Sequence, residues 1–91
     1  MKQFDLSVMT ANKTVYRGKA VSLVVPGGLG SMGILADHTS IISTVQPGTI
    51  AITPPDHDGK IIINVKGGGF VQVKQNKVMV IIDSVDTSVS N

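Results

Sequence analysis

The chain has 91 residues, enough for one compact core and too few for two. It contains no cysteine, which excludes a disulfide framework and thiolate metal sites. A formal charge of +2, from eight Lys and Arg against six Asp, gives no support for binding to nucleic acid or to anionic lipid.

The first residues, MKQFDLS, are too polar for a secretory signal, and no window approaches the length of a membrane-spanning helix. A soluble, cytoplasmic protein is expected. Val, Ile and Thr supply 30 residues, glutamate is absent and alanine occurs four times, so strand formers dominate. Phe4, Leu6 and Val8 alternate with Asp5 and Ser7 and predict a first strand; Thr14 to Gly18 follows after a turn at Asn12-Lys13. Val21, Leu23 and Val25 alternate next, ahead of a Gly-rich turn and the β-branched series Ile34, Thr39, Ile41, Ile42, Thr44 and Val45. Gln46-Pro47-Gly48 is a turn; Ile50 and Ile52 flank Ala51. The loop Pro54 to Gly59 leads to Ile61, Ile63 and Val65. The Gly67-Gly68-Gly69 run and the turn Lys74-Gln75-Asn76-Lys77 bound the last strands. Eight to ten short strands at this spacing predict an all-β sandwich or barrel. The tail from Thr87 to Asn91 is expected to be frayed.

Several constellations carry a chemical reading that their context denies. Gly28, Gly30 and Gly33 spell G-x-G-x-x-G after an apolar run, the fingerprint of a dinucleotide-binding turn. That turn needs a helix after the third glycine and an acid at the end of a second strand. Here a β-branched series follows, and Asp56 stands in a loop behind two prolines. A glycine turn with positive φ between two strands is the expectation. Asp37, His38, Ser40 and Ser43 are the residue types of a nucleophilic triad, but Asp37 and His38 would point apart on a strand. Asp56, His57 and Asp58 lack further spaced ligands and fit a solvated hairpin tip. Asn12-Lys13-Thr14 matches a glycosylation acceptor without a secretion signal. Lys74 and Lys77 flank a turn, and only Phe4, Tyr16 and Phe70 could stack on bases, too few for a single-strand binder. No catalytic residue, metal site or cofactor is expected. The residues leave a rigid β module that meets another protein, or an OB-like or sandwich module binding a ligand or single-stranded nucleic acid.

The run VPGGLGSMGILADHTSIISTVQPGTIAI resembles the signature of the epsilon subunits of F-type ATP synthases, L-P-G-x-x-G-x-x-G-I-L-P-G-H-x-P-L-L-T followed by P-G. Pro26, Gly27, Gly30, Gly33, Ile34, Leu35, His38, Pro47 and Gly48 fall in register. Gly68 to Val73, the turn at Lys74 to Lys77, Val78-Met79-Val80 and Asp83 follow the family's G-G-F-x-E-V, turn, V-x-V-x-x-D order, and Phe4 to Val8 with Thr14 to Gly18 are similar to its opening hairpin. The departures are Ser31 and Gln72 where the family often has glutamate, Ala36-Asp37 in place of Pro-Gly, and Ser40, Ile41 and Ile42 in place of Pro-Leu-Leu.

The resemblance implies a flattened β-sandwich of about ten short strands over residues 1–86, with 87–91 as a disordered tail. It implies a non-catalytic central-stalk subunit that binds the gamma subunit and the c-ring and couples proton translocation to ATP synthesis. By the same carry-over Thr10, His38, Thr39, Ile42 and Ser43 lie toward gamma, and Gly30, Ser31 and Met32 toward the c-ring. Many members continue into an inhibitory helical hairpin; a chain ending at Asn91 is expected to couple without it. Its expected place is peripheral, on the cytoplasmic face of a bacterial inner membrane or the stromal face of a thylakoid, touching the membrane only through the complex.

Overall fold

The computed structural model describes residues 2–28, 30–36, 40–56 and 59–83. The strands in these segments are β1 (Phe4–Met9), β2 (Thr14–Ala20), β3 (Ser22–Gly27), β4 (Gly30–Leu35), β5 (Ile41–Val45), β6 (Gly48–Thr53), β7 (Ile61–Val65), β8 (Gly69–Lys74) and β9 (Lys77–Ile82). They form a five-stranded sheet ordered β2-β1-β9-β8-β5 and a four-stranded sheet ordered β4-β3-β6-β7. The expected all-β sandwich is thus present, with nine strands among the described residues against the ten of the resemblance. The proposed tail at 87–91 lies outside them.

The period-two pattern becomes the core directly. Phe4, Leu6 and Val8 of β1 are buried, as are Leu23 and Val25, Ile50 and Ile52, Ile63 and Val65, Val71 and Val73, and Val78, Val80 and Ile82. Each strand turns these residues inward and shows its alternate residues to the outside. Val21 departs from this pattern: it is half-buried between β2 and β3, and its backbone N–H donates to the Thr53 carbonyl at 2.8 Å. That residue turns the chain from one sheet to the other. Among the described residues no polar or charged residue is buried, so hydrophobic contact holds the two layers together.

Three connections fix the ends. β3 and β4 form a hairpin in which Gly27 pairs with Gly30. β8 and β9 form another, with Lys74 opposite Lys77. Its two turn residues, Gln75 at φ 50° and Asn76 at φ 62°, have the double left-handed geometry of a type I′ turn, whose twist suits a tight hairpin. β1 pairs antiparallel with β2 and parallel with β9, from Asp5 opposite Lys77 to Met9 opposite Ile81, which ties the start of the chain to its last strand.

Candidate functional site

The glycine motif lies in the β3–β4 hairpin, where no helix follows Gly33. Gly30 takes φ 124°, as a glycine turn requires, whereas Gly33 has no positive φ and lies within β4. The expectation of positive φ therefore holds for Gly30 and is corrected for Gly33: the strand register places that residue opposite Val24 in extended backbone. Asp37 and His38 of the triad types, and His57 and Asp58 of the acidic loop, lie outside the described residues. Among the described residues no three His, Cys, Asp or Glu gather to hold a metal, and no helix is long and apolar enough to cross a membrane.

What remains for recognition is surface, and two regions stand out. The first is the outer face of the five-stranded sheet. Its cross-strand row runs Arg17, Ser7, Met79, Gln72, Ile42, one residue from each strand in sheet order. The row above runs Met9, Ile81, Phe70, Thr44. Ile42 is 72% exposed, Phe70 42% and Met79 39%, with Met9 and Ile81 half-buried between them. Three separate chain segments thus place apolar side chains together in water, an arrangement characteristic of a binding surface.

The lower margin of that face is charged. Asp5 and Lys19 stand opposite each other on β1 and β2, and Lys19 Nζ lies 2.7 Å from Asp5 Oδ1. The hydrogen bond and the charge of Lys19, with Lys77 adding more weakly, hold the Asp5 carboxyl below the usual aspartate range against a small opposing desolvation. Asp5, Ser7, Gln72, Lys74, Lys77 and Met79 line a shallow depression here.

The second region is a cleft at the tip of the β3–β4 hairpin. Gly30, Ser31 and Met32 line it together with Ser43 and Thr44 of β5. Ser31 is exposed, and Met32 is half-buried against the core. Ser43 and Thr44, neighbours of opposite parity, both line this cleft, whereas Ile42 at the lower part of β5 does not. Thr10 stands at the end of β1, where its Oγ1 accepts from the backbone N–H groups of Asn12 and Lys13, each at 3.3 Å. It organises the β1–β2 turn, away from Ile42 on the sheet's opposite edge. His38 and Thr39 lie outside the described residues. Of the described gamma-side residues, Thr10 and Ile42 thus stand on separated strands of the sheet, and Ser43 lines the cleft with Gly30, Ser31 and Met32. Phe70, Met79 and Ile81, which sequence reasoning did not single out, share the exposed face with Ile42; their alternation with buried Val71, Val80 and Ile82 was the available signal.

The family model of the ATP synthase delta/epsilon chain beta-sandwich domain matches residues 3–88. The ATP synthase epsilon chain of Sulfurimonas denitrificans is 34% identical over 84 residues, covering 91% of this chain and 62% of its own length. That of Desulfitobacterium hafniense is 36% identical over 83 residues, covering 91% and 61%. The chain thus spans about three fifths of the length of these relatives. A chain in the Euglena gracilis mitochondrial ATP synthase, solved as OSCP/F1/c-ring, superposes with a TM-score of 0.84 at 19% identity, covering 92% of this chain and 52% of that one. A chain of the Tetrahymena thermophila mitochondrial ATP synthase central stalk and c-ring superposes at 0.72 and 15% identity, covering 93% and 66%. These two likenesses establish the fold.

Proposed function

Because the chain belongs to the ATP synthase delta/epsilon family, through its beta-sandwich domain, we propose that it is a non-catalytic central-stalk component that binds the gamma subunit and the c-ring and couples proton translocation to ATP synthesis. The observation that carries this reading is the apolar outer face built by Ile42, Phe70 and Met79 on a body whose core holds no polar group among the described residues. A stiff two-layer body transmits torque between partners without needing a catalytic group of its own.

In this reading Ile42 packs against gamma; Thr10, His38, Thr39 and Ser43 are the further gamma contacts that the family resemblance implies. Gly30, Ser31 and Met32 at the hairpin tip meet the c-ring. The two exposed regions adjoin at Thr44, which stands in the outer-face row and also lines the hairpin cleft. Membrane contact comes only through the complex, on the cytoplasmic face of a bacterial inner membrane or its plastid equivalent, and nucleic acid is not a partner.

Co-purification with gamma tests the reading. Ile42→Asp buries an unpaired carboxylate if that side chain packs against gamma, and is expected to cost about 3 kcal/mol of binding. Wild-type affinity in that variant would remove Ile42 from the interface; failure of the unmodified chain to bind gamma would remove the stalk reading.

A further inference from the structure

The small net charge of the chain conceals how its charges are placed. β3, β4, β6 and β7 contain no charged residue, and neither does β5. Every charged side chain within the described strands therefore belongs to β1, β2, β8 or β9: Asp5, Arg17, Lys19, Lys74 and Lys77. All five are exposed, and the strand register puts them on the outer face of the five-stranded sheet. Lys19, Asp5, Lys77 and Lys74 stand opposite one another in a row across four strands, and Arg17 begins the next row beside Ser7. Asp5 is committed to Lys19 at 2.7 Å, which leaves Arg17, Lys74 and Lys77 as surplus positive charge. Lys74 and Lys77 are direct cross-strand neighbours, and like charges so opposed destabilise a sheet. The isolated domain thus carries a repulsion that a carboxylate from outside would relieve.

We propose that the segment of gamma seated on this face is acidic, with apolar residues against Ile42, Phe70, Met79 and Ile81 and, beside them, Asp or Glu that meet Lys74, Lys77 and Arg17. The proposal rests on the stalk reading and names the chemistry of its partner. The apolar rows and the basic row run side by side across five strands, a span of about 19 Å, so one segment can engage both. Asp5, Ser7, Gln72, Lys74, Lys77 and Met79 line a single shallow depression, where a carboxylate can lie between the two ammonium groups with its stem on Met79. A basic segment would be repelled there, and a wholly apolar one would leave the lysines at the margin of the contact without a partner. Charges at such a margin act on encounter and on the choice of partner more than on final affinity, so the rate of association is the quantity they govern.

Surface plasmon resonance with immobilised gamma tests this at about 0.1 M and about 1 M salt, between which the screening length falls from about 10 Å to about 3 Å. Association of the unmodified chain should slow about tenfold at the higher salt. Lys74→Gln/Lys77→Gln should slow it about fivefold at the lower salt and leave it nearly unchanged at the higher. Lys60→Gln/Lys66→Gln removes the same charge beside β7 of the other sheet and should keep the unmodified rate within about twofold. Relief of the opposed lysines should hold the thermal midpoint of Lys74→Gln/Lys77→Gln at or slightly above that of the unmodified chain, so slower association does not reflect misfolding. Gamma binding that neither salt nor this variant changes would overturn the proposal and leave the stalk reading standing, as would faster association in the variant or equal slowing by the β7 pair. A chain that fails to bind gamma at either salt would remove the stalk reading and the proposal with it. Retention on phosphatidylserine vesicles that the same variant abolishes, with gamma binding kept, would assign the lysines to a membrane surface and overturn the acidic segment.

Discussion

Glycine shows most plainly how single residues answer to the fold. Gly69 has no left-handed φ, yet a Cβ there would run into the Ile81 carbonyl oxygen and lie 2.8 Å from the Ile82 Cα. The demand comes from β9 lying directly against it, with Gly69 opposite Ile82. Gly33 has nothing within 4 Å of such an atom. Gly69→Ala is therefore expected to lower stability by about 3 kcal/mol, because backbone must move to admit the methyl. Gly33→Ala should be neutral or raise stability by about 0.5 kcal/mol through the unfolded chain's lost freedom. Urea unfolding of the two variants separates these cases. The sequence, with Gly67-Gly68-Gly69 and Gly28-x-Gly30-x-x-Gly33 side by side, does not reveal which glycine is indispensable.

The exposed Asp5–Lys19 pair makes a pH-dependent contribution whose sign is fixed. Its carboxyl titrates lower in the folded state than in the unfolded chain. The contribution is therefore present above the ordinary aspartate range and lost as pH falls through the lower folded value. Carboxyl carbon shifts measured during an acid titration should place Asp5 below a free aspartate, and Lys19→Met should return it upward. Because both side chains are open to water, about 1 M salt should reproduce part of that change.

At the scale of elements, the β8–β9 hairpin combines a legible turn with an imperfect residue. The sequence Lys74-Gln75-Asn76-Lys77 predicts a turn, and the structure specifies double left-handed geometry. Asparagine tolerates that conformation; glutamine does so at a cost. Gln75→Asn should raise the urea midpoint, with a gain of about 0.5 kcal/mol, and Gln75→Val should lower stability by about 1 kcal/mol. The hairpin carries Met79 and Gln72 as an opposed pair on the exposed face, so strengthening its turn also firms the surface proposed for gamma.

At the scale of the whole molecule, the absence of buried polar residues among the described ones predicts stability that owes nothing to a bound group. Thermal unfolding should be unmoved by a chelator, by NAD or by ATP. A rise of the size mass action gives for a specific ligand, about 2.7 kcal/mol at a hundredfold excess over the dissociation constant, would contradict it. The same composition that makes the interior uniform leaves the surface to distinguish the partners: an apolar sheet face with a lysine margin, and a small cleft at a glycine hairpin beside it.

Strand character, the inward residues of nearly every strand and the turns at Asn12-Lys13, Gln46 to Gly48 and Lys74 to Lys77 were determined by the sequence alone; the crossing at Val21 and the break between β4 and β5 inside the series Ile34 to Val45 were not. The properties so determined are local: a period of two places Leu6, Val71 or Ile52 on one face whatever the strand's neighbours. The family was legible for the same reason, since its motifs are hairpin tips and strand ends. Only the tertiary structure decided that β1 runs parallel to β9 across the whole length of the chain, and that Met9, Ile42, Phe70, Met79 and Ile81 meet on one face. It also decided that Ser43 shares a cleft with Met32 while Ile42 lies outside it. Pairing partners depend on burying two complementary sheet faces at once, a non-local balance of apolar contact against loop closure that no window of sequence contains.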